Sequence, residues 1–202
     1  MRPENFLLKK AIFTTREFAQ ATQTRVDASS RKLKSYESAG VITAITRGVW
    51  IQTQNPNFSR YGLVPYLLGN EQGYVSFLSA LNRHGVITQI PQRIFVATTG
   101  HTRSFRSELA EFDFIQMKPQ YMQYGVEWFS GGVSYALATA EKALLDCLYI
   151  STRRGNKFQF FPEIDREAIQ NKKLKELLKA HQYPEKIEVA IRERLTELKF
   201  KV

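Results

Sequence analysis

An α/β (α+β) protein in three parts is predicted by three features of this chain. Residues 14–53 read in the order helix, turn, helix, short β-hairpin. Residues 74–150 alternate β-prone runs with helical stripes, which is the pattern of a mixed α/β unit. The last fifty residues change to basic, amphipathic helical sequence. The first pattern is that of a winged helix-turn-helix. The expected parts are therefore a winged helix-turn-helix over residues 1–60, an α/β domain over 61–150, and a basic helical extension over 151–202 that packs on it.

Each element has a local reason. Thr14 or Thr15 suits the N-cap of the first helix, with Glu17 and Phe18 in the turn that follows. That helix decays at Thr22-Gln23-Thr24. The next places Val26, Ser29 or Ser30, Leu33, Tyr36 and Gly40 on one stripe at three–four spacing. Gly40 suits the left-handed position that ends a helix. Val41-Ile42 and Val49-Trp50-Ile51 are two β-prone runs joined through Thr46-Arg47-Gly48, with Arg47 at the tip.

A second helix of this kind enters the major groove, and its early residues face base edges. The candidate DNA contacts are Arg25, Ser29, Ser30, Arg31, Lys32 and Lys34, with Arg47 reaching a minor groove from the wing. Arginine pairs bidentately with guanine, whereas serine and lysine more often hold phosphates.

In the middle part, Tyr61 to Leu68 is apolar enough for a short helix. Ser76 to His84 reads as a helix closed by Gly85, with Phe77, Ala80, Leu81 and His84 on its apolar stripe. Strands are expected at Ile94–Thr98, Phe112–Met117, Tyr124–Phe129 and Val133–Ala138, the last entered by a Gly131-Gly132 turn. Thr139 caps a helix from Ala140 to about Ile150. Thr98 to Arg106 reads as a polar, basic loop, with Arg103 and Arg106 as candidate secondary phosphate contacts.

The tail begins with a basic turn, Thr152 to Lys157, and the aromatic run Phe158-Gln159-Phe160-Phe161. Two helices follow, Asp165 to His181 and Pro184 to Phe200. Ile187, Ile191, Leu195 and Leu198 share one face of the second. Lys172 and Lys173 in the first are further candidate phosphate contacts. The expected main role is a cap on the middle domain, its charge assisting approach to DNA.

Composition narrows the class. The 202 residues are 43% hydrophobic and carry a net charge of +10. Residues 1–60 hold 10 Lys/Arg against 4 Asp/Glu, residues 61–150 hold 6 against 7, and residues 151–202 hold 13 against 8. The attraction for polyanions thus sits at the two ends. Cys147 is the single cysteine, which excludes an internal disulfide and a cysteine zinc site. Its apolar surroundings predict a buried thiol. The N-terminal decapeptide is too short in its apolar part for a signal peptide, and no run approaches a membrane span. The expected setting is reducing and cytoplasmic, with no membrane partner.

Three blocks, in order, resemble a known family. Tyr74 to Gly85 contains Ser76, Ser79-Ala80-Leu81 and His84-Gly85 in the arrangement SxxSALxxHG. Ile94 to Thr98 resembles the strand that follows that block. Thr139 to Asp146 resembles a TxEKALLD helix, with Ala140 where the family often has proline. The N-terminal wing, with its RGVW turn, fits the same order. Over roughly residues 10–150 the chain resembles the AbiEi-like abortive-infection antitoxins, transcriptional regulators of type IV toxin–antitoxin systems. The resemblance implies a sequence-specific repressor that binds its own operator in double-stranded DNA and autoregulates its operon. It also implies functional pairing with a nucleotidyltransferase-like toxin without a stable complex. The runner-up is a stand-alone winged-helix regulator whose C-terminal domain senses a ligand or dimerises. A monomer or weak dimer is expected.

Catalysis is not expected. Ser79 and His84 are five apart and share a helix face poorly, and no GxSxG elbow is present. Glu141 and Lys142 are adjacent, whereas a PD-(D/E)xK nuclease needs a residue between acid and lysine; a capping and salt-bridge role suits them and Asp146 better. His84, His101 and His181 are scattered, so no metal cluster emerges. No phosphate-cradling glycine loop occurs, and no cofactor is expected.

Overall fold

The computed structural model describes residues 1–130, 133–153 and 157–201. The Gly131-Gly132 turn and the centre of the basic turn, Arg154 to Asn156, lie outside the described residues. The molecule is mixed α/β, with two sheets among the described residues. Two compact units are present, one of residues 1–67 with 130–135 and one of residues 68–129 with 136–202. The first boundary thus falls near residue 67 rather than 60, and residues 151–202 belong to the second unit.

The first unit runs α1 (Pro3–Lys9), β1 (Ile12–Thr14), α2 (Thr15–Thr22), α3 (Val26–Ser38), β2 (Thr43–Thr46) and β3 (Val49–Ile51). A 3₁₀ turn at Arg60–Leu63 and α4 (Val64–Leu68) follow. The strands form one antiparallel sheet in the order β1-β3-β2, with Phe13 opposite Trp50. Phe6, Leu7, Phe13, Phe18, Leu33, Ile42 and Trp50 make its core. The Phe6 ring meets Phe13 and Phe18 edge-on at 5.1 and 5.4 Å.

Three sequence expectations change here. The N-terminal decapeptide is helical and supplies Phe6 and Leu7 to the core, and β1 is a third strand. The first strand of the expected hairpin lies at Thr43–Thr46, not at Val41-Ile42. Gly40 N donates to Glu37 O and Val41 N to Tyr36 O, so those residues complete the helix terminus and Ile42 turns into the core. Val26 stands 51% exposed, off the buried stripe of α3, because the chain has only just entered the helix there.

The second unit runs β4 (Gly73–Val75), α5 (Phe77–Arg83), β5 (Arg93–Thr98), β6 (Arg103–Arg106), β7 (Glu111–Gln116), β8 (Val126–Phe129), β9 (Tyr135–Ala138), α6 (Ala140–Arg153), α7 (Asn171–His181) and α8 (Glu185–Glu197). Its six-stranded sheet has the order β6-β7-β5-β4-β9-β8. β5 pairs parallel to β7, and β4 parallel to β9; β4–β5 and β6–β7 are antiparallel. Part of the expected basic loop is therefore the edge strand β6. The helix expected from Asp165 begins only at Asn171. Ile164 bridges Ile87 and Asp165 N donates to Val86 O, which holds that stretch extended.

The unit is built around α6, whose residues Ala140 to Ile150 are all buried, Cys147 among them. Helices α5, α7 and α8 pack against it. Buried charge is admitted because it is satisfied. Lys142 Nζ donates to Asp146 Oδ1, while the hydroxyls of Tyr74 and Ser76 donate to Asp146 Oδ2 at 3.0 and 2.7 Å. Burial lowers the Lys142 ammonium and raises the Tyr74 phenol well above its usual range. Glu141 accepts from Gln170 N at 2.9 Å, tying the start of α7 to α6. His84 leaves the apolar stripe expected of it and is exposed, its Nε2 2.7 Å from Ala138 O.

Candidate nucleic-acid interface

The turn before α2 is closed by reciprocal bonds between Thr14 and Glu17. Glu17 N donates to Thr14 Oγ1 at 3.1 Å and Thr14 N to Glu17 Oε2 at 2.7 Å. Lys10 Nζ adds a bond to Glu17 Oε1 at 2.7 Å. Burial alone raises the Glu17 carboxyl, but the Lys10 and Thr14 bonds prevail and hold it below the usual glutamate range. The hairpin is latched to the same turn. Thr15 N donates to Gly48 O at 2.9 Å, and Trp50 Nε1 to Thr15 Oγ1 at 2.8 Å. Gly48 adopts φ +78°, the conformation that a tight turn at Arg47-Gly48 needs.

These latches leave a cleft of about 870 Å³ between α3, the start of α2 and the hairpin. Arg16, Ser30, Lys34, Glu37, Thr46 and Arg47 line it. Glu37 is engaged, since its Oε1 accepts Ala44 N at 3.1 Å and joins α3 to β2. Three cations therefore face the cleft against one carboxylate already bonded to the backbone. Such a cleft attracts an anion by charge and offers hydroxyls to phosphate oxygens.

The seven expected primary contacts separate by position. Ser30, Lys34 and Arg47 line the cleft, and Arg31 is exposed on the same helix as the first two. Lys32 is exposed and sits 5.6 Å from the Tyr36 ring centre, outside the cleft lining. Arg25 is paired with Asp27 at 3.3 Å, an open pair that constrains it little. Ser29 is corrected. It is 1% exposed, and its Oγ lies 2.6 Å from Thr24 Oγ1 across the turn between α2 and α3. Of the two serines the stripe left open, Ser29 faces inward and Ser30 outward.

Arg16 was not foreseen. The reciprocal Thr14–Glu17 cap carries the signal, because it fixes the first turn, in which Thr15 is buried and Arg16 faces outward.

The expected secondary contacts also divide. Arg103 is committed to Glu71 at 2.8 Å and lies 4.3 Å from the Phe114 ring centre, so it is removed from the phosphate candidates. Arg106 faces Glu111 at 3.5 Å but stays largely exposed. Lys172 and Lys173 are exposed on α7. Ser76, Ser79 and His84 have separate partners, Asp146, Phe95 N with Arg93 O, and Ala138 O. Among the described residues no group of three His, Cys, Asp or Glu is placed to hold a metal ion. No helix among them is long and apolar enough to cross a membrane. Comparison with protein-family models and with curated proteins found no match.

Proposed function

We propose that the first unit is a winged helix-turn-helix and that this chain is a sequence-specific DNA-binding repressor of its own operon. One observation carries the reading: α2, α3 and the hairpin bring Arg16, Ser30, Lys34 and Arg47 to a single open cleft. In this reading α3 enters the major groove with Arg31 toward base edges, and Arg47 reaches an adjacent minor groove. Arg16 and Lys34 hold the phosphates between them. A mobility-shift titration against the DNA upstream of the gene, with excess scrambled duplex, tests it. A shift that survives competitor supports the repressor; equal loss to scrambled DNA leaves only a basic protein.

The antitoxin role is part of the same proposal. Its support is the ordered set of three blocks, Ser76 to Gly85, Ile94 to Thr98 and Thr139 to Asp146. Their best-defined residues build the second unit's interior, with Ser76 and Lys142 meeting on Asp146. The partner is a nucleotidyltransferase-like toxin, countered in a cytoplasmic setting without a stable complex. Rescue of growth when this chain is co-expressed with such a toxin from the neighbouring gene is the check. No rescue, with the repressor intact, would reduce the proposal to a stand-alone regulator.

A further inference from the structure

Helix α7 contradicts the ordinary rules for a solvent-facing helix. Leu174, Leu178 and His181 turn inward. The outward side carries Lys172, Lys173, Lys175 and Lys179 against Glu176 alone. Among the described residues, none of the four lysines lies within ion-pair distance of a carboxylate. Two of them occupy the first turn, which holds no acid, although the helix dipole disfavours cations there. The neighbouring α8 shows the opposite habit: Arg192 pairs with Glu188 at 2.9 Å, and Arg194 with Glu197. Its first turn carries Glu185 and Glu188. The four cations of α7 thus stand uncompensated, which costs the helix stability.

We infer that the exposed lysine face of α7 is a second, sequence-independent docking surface for the backbone of double-stranded DNA. The inference rests on the repressor reading and adds a contact in the second unit. Lys172, Lys175 and Lys179 follow i, i+3, i+7 and form one ridge about 10 Å long. A duplex of that length presents about six phosphates. The ridge has no large exposed hydrophobic residue, since none of those on this protein's surface lies on α7. Protein partners are held by a desolvated apolar or aromatic centre with a charged rim, and this face offers only the charge. A phosphate backbone needs nothing more. Lysine, a flexible point charge without the planar fork of arginine, suits contacts that carry no sequence information.

The test uses the full chain and two duplexes, the upstream DNA and a scrambled sequence of equal length, titrated at several salt concentrations. One variant replaces the four lysines (Lys172→Gln, Lys173→Gln, Lys175→Gln and Lys179→Gln); a second carries Arg16→Ala and Lys34→Ala. The glutamine variant is expected to weaken both duplexes by the same factor. Its slope of log affinity against log salt should be shallower by about 3. It should melt no earlier than the parent, which separates lost contact from lost folding. An unchanged slope in the glutamine variant, when the parent binds DNA, overturns this inference alone. Normal binding by the Arg16/Lys34 variant, with loss in the glutamine variant, supports α7 and overturns the cleft. A parent that binds neither duplex overturns both. Weakening of the upstream duplex only would mean that α7 reads sequence, and would overturn the backbone assignment.

Discussion

Single side chains decide which surface of α3 is available. Ser29 and Ser30 are adjacent and chemically identical, yet one hydroxyl closes the turn with Thr24 and the other borders the cleft. Ser30→Ala should therefore weaken DNA binding with little change in melting. Ser29→Ala should lower stability by about 1 kcal/mol, the usual worth of such a hydrogen bond, and spare affinity at saturating fold. Arg31→Ala should cost about 1–3 kcal/mol on the operator and little on scrambled duplex, as measured by competition titration. Equal losses on both would make Arg31 a phosphate contact. Glu17 gives a pH signature. Its native carboxyl lies below the usual range, so its contribution is present above about pH 4.3 and is lost as pH falls through the native value. Glu17→Gln should flatten the stability profile in that acid window, read from melting temperature against pH.

Elements are set by caps and turns more than by propensity. The Thr14–Glu17 cap and the glycines at 40 and 48 were legible because each solves a local problem, an orphaned amide or a left-handed backbone. Gly48→Ala should cost about 1 kcal/mol although a methyl group meets only Thr15 Oγ1 at 3.8 Å, because the penalty is in the backbone. Gly48→Asn, tolerant of positive φ, should recover part of it in thermal unfolding. Elements without such local marks were missed. Strands β1 and β4 have three residues each and owe their conformation to partners far along the chain, Val49–Ile51 and Val96–Thr98. β6 was hidden by its polarity. As an edge strand it keeps Arg103 and Arg106 paired to Glu71 and Glu111, which makes a β-strand look like a solvated loop.

At the scale of the whole molecule, the second unit depends on a buried polar link between distant segments. Tyr74 and Ser76 at the β4–α5 turn meet Lys142 on Asp146 of α6. Asp146→Ala should destabilise by about 3–5 kcal/mol, because it leaves a buried ammonium and two hydroxyls without their acceptor. Lys142→Met combined with Asp146→Leu should cost less than Asp146→Ala alone, since no lone charge remains; chemical denaturation measures both. A double variant worse than the single would show that the pair contributes net stability in this core.

Charge distribution, caps, periodicity and turn glycines are properties of short stretches, so the chain order of most helices and of the main strands could be read directly. The same locality made α3 and Arg47 visible as a candidate surface. Which serine faces inward, that Arg103 is spent on Glu71, and that the four lysines of α7 meet no carboxylate are outcomes of packing. No local pattern encodes them, because each depends on a partner tens of residues away or on a rotation of one helical position about its axis.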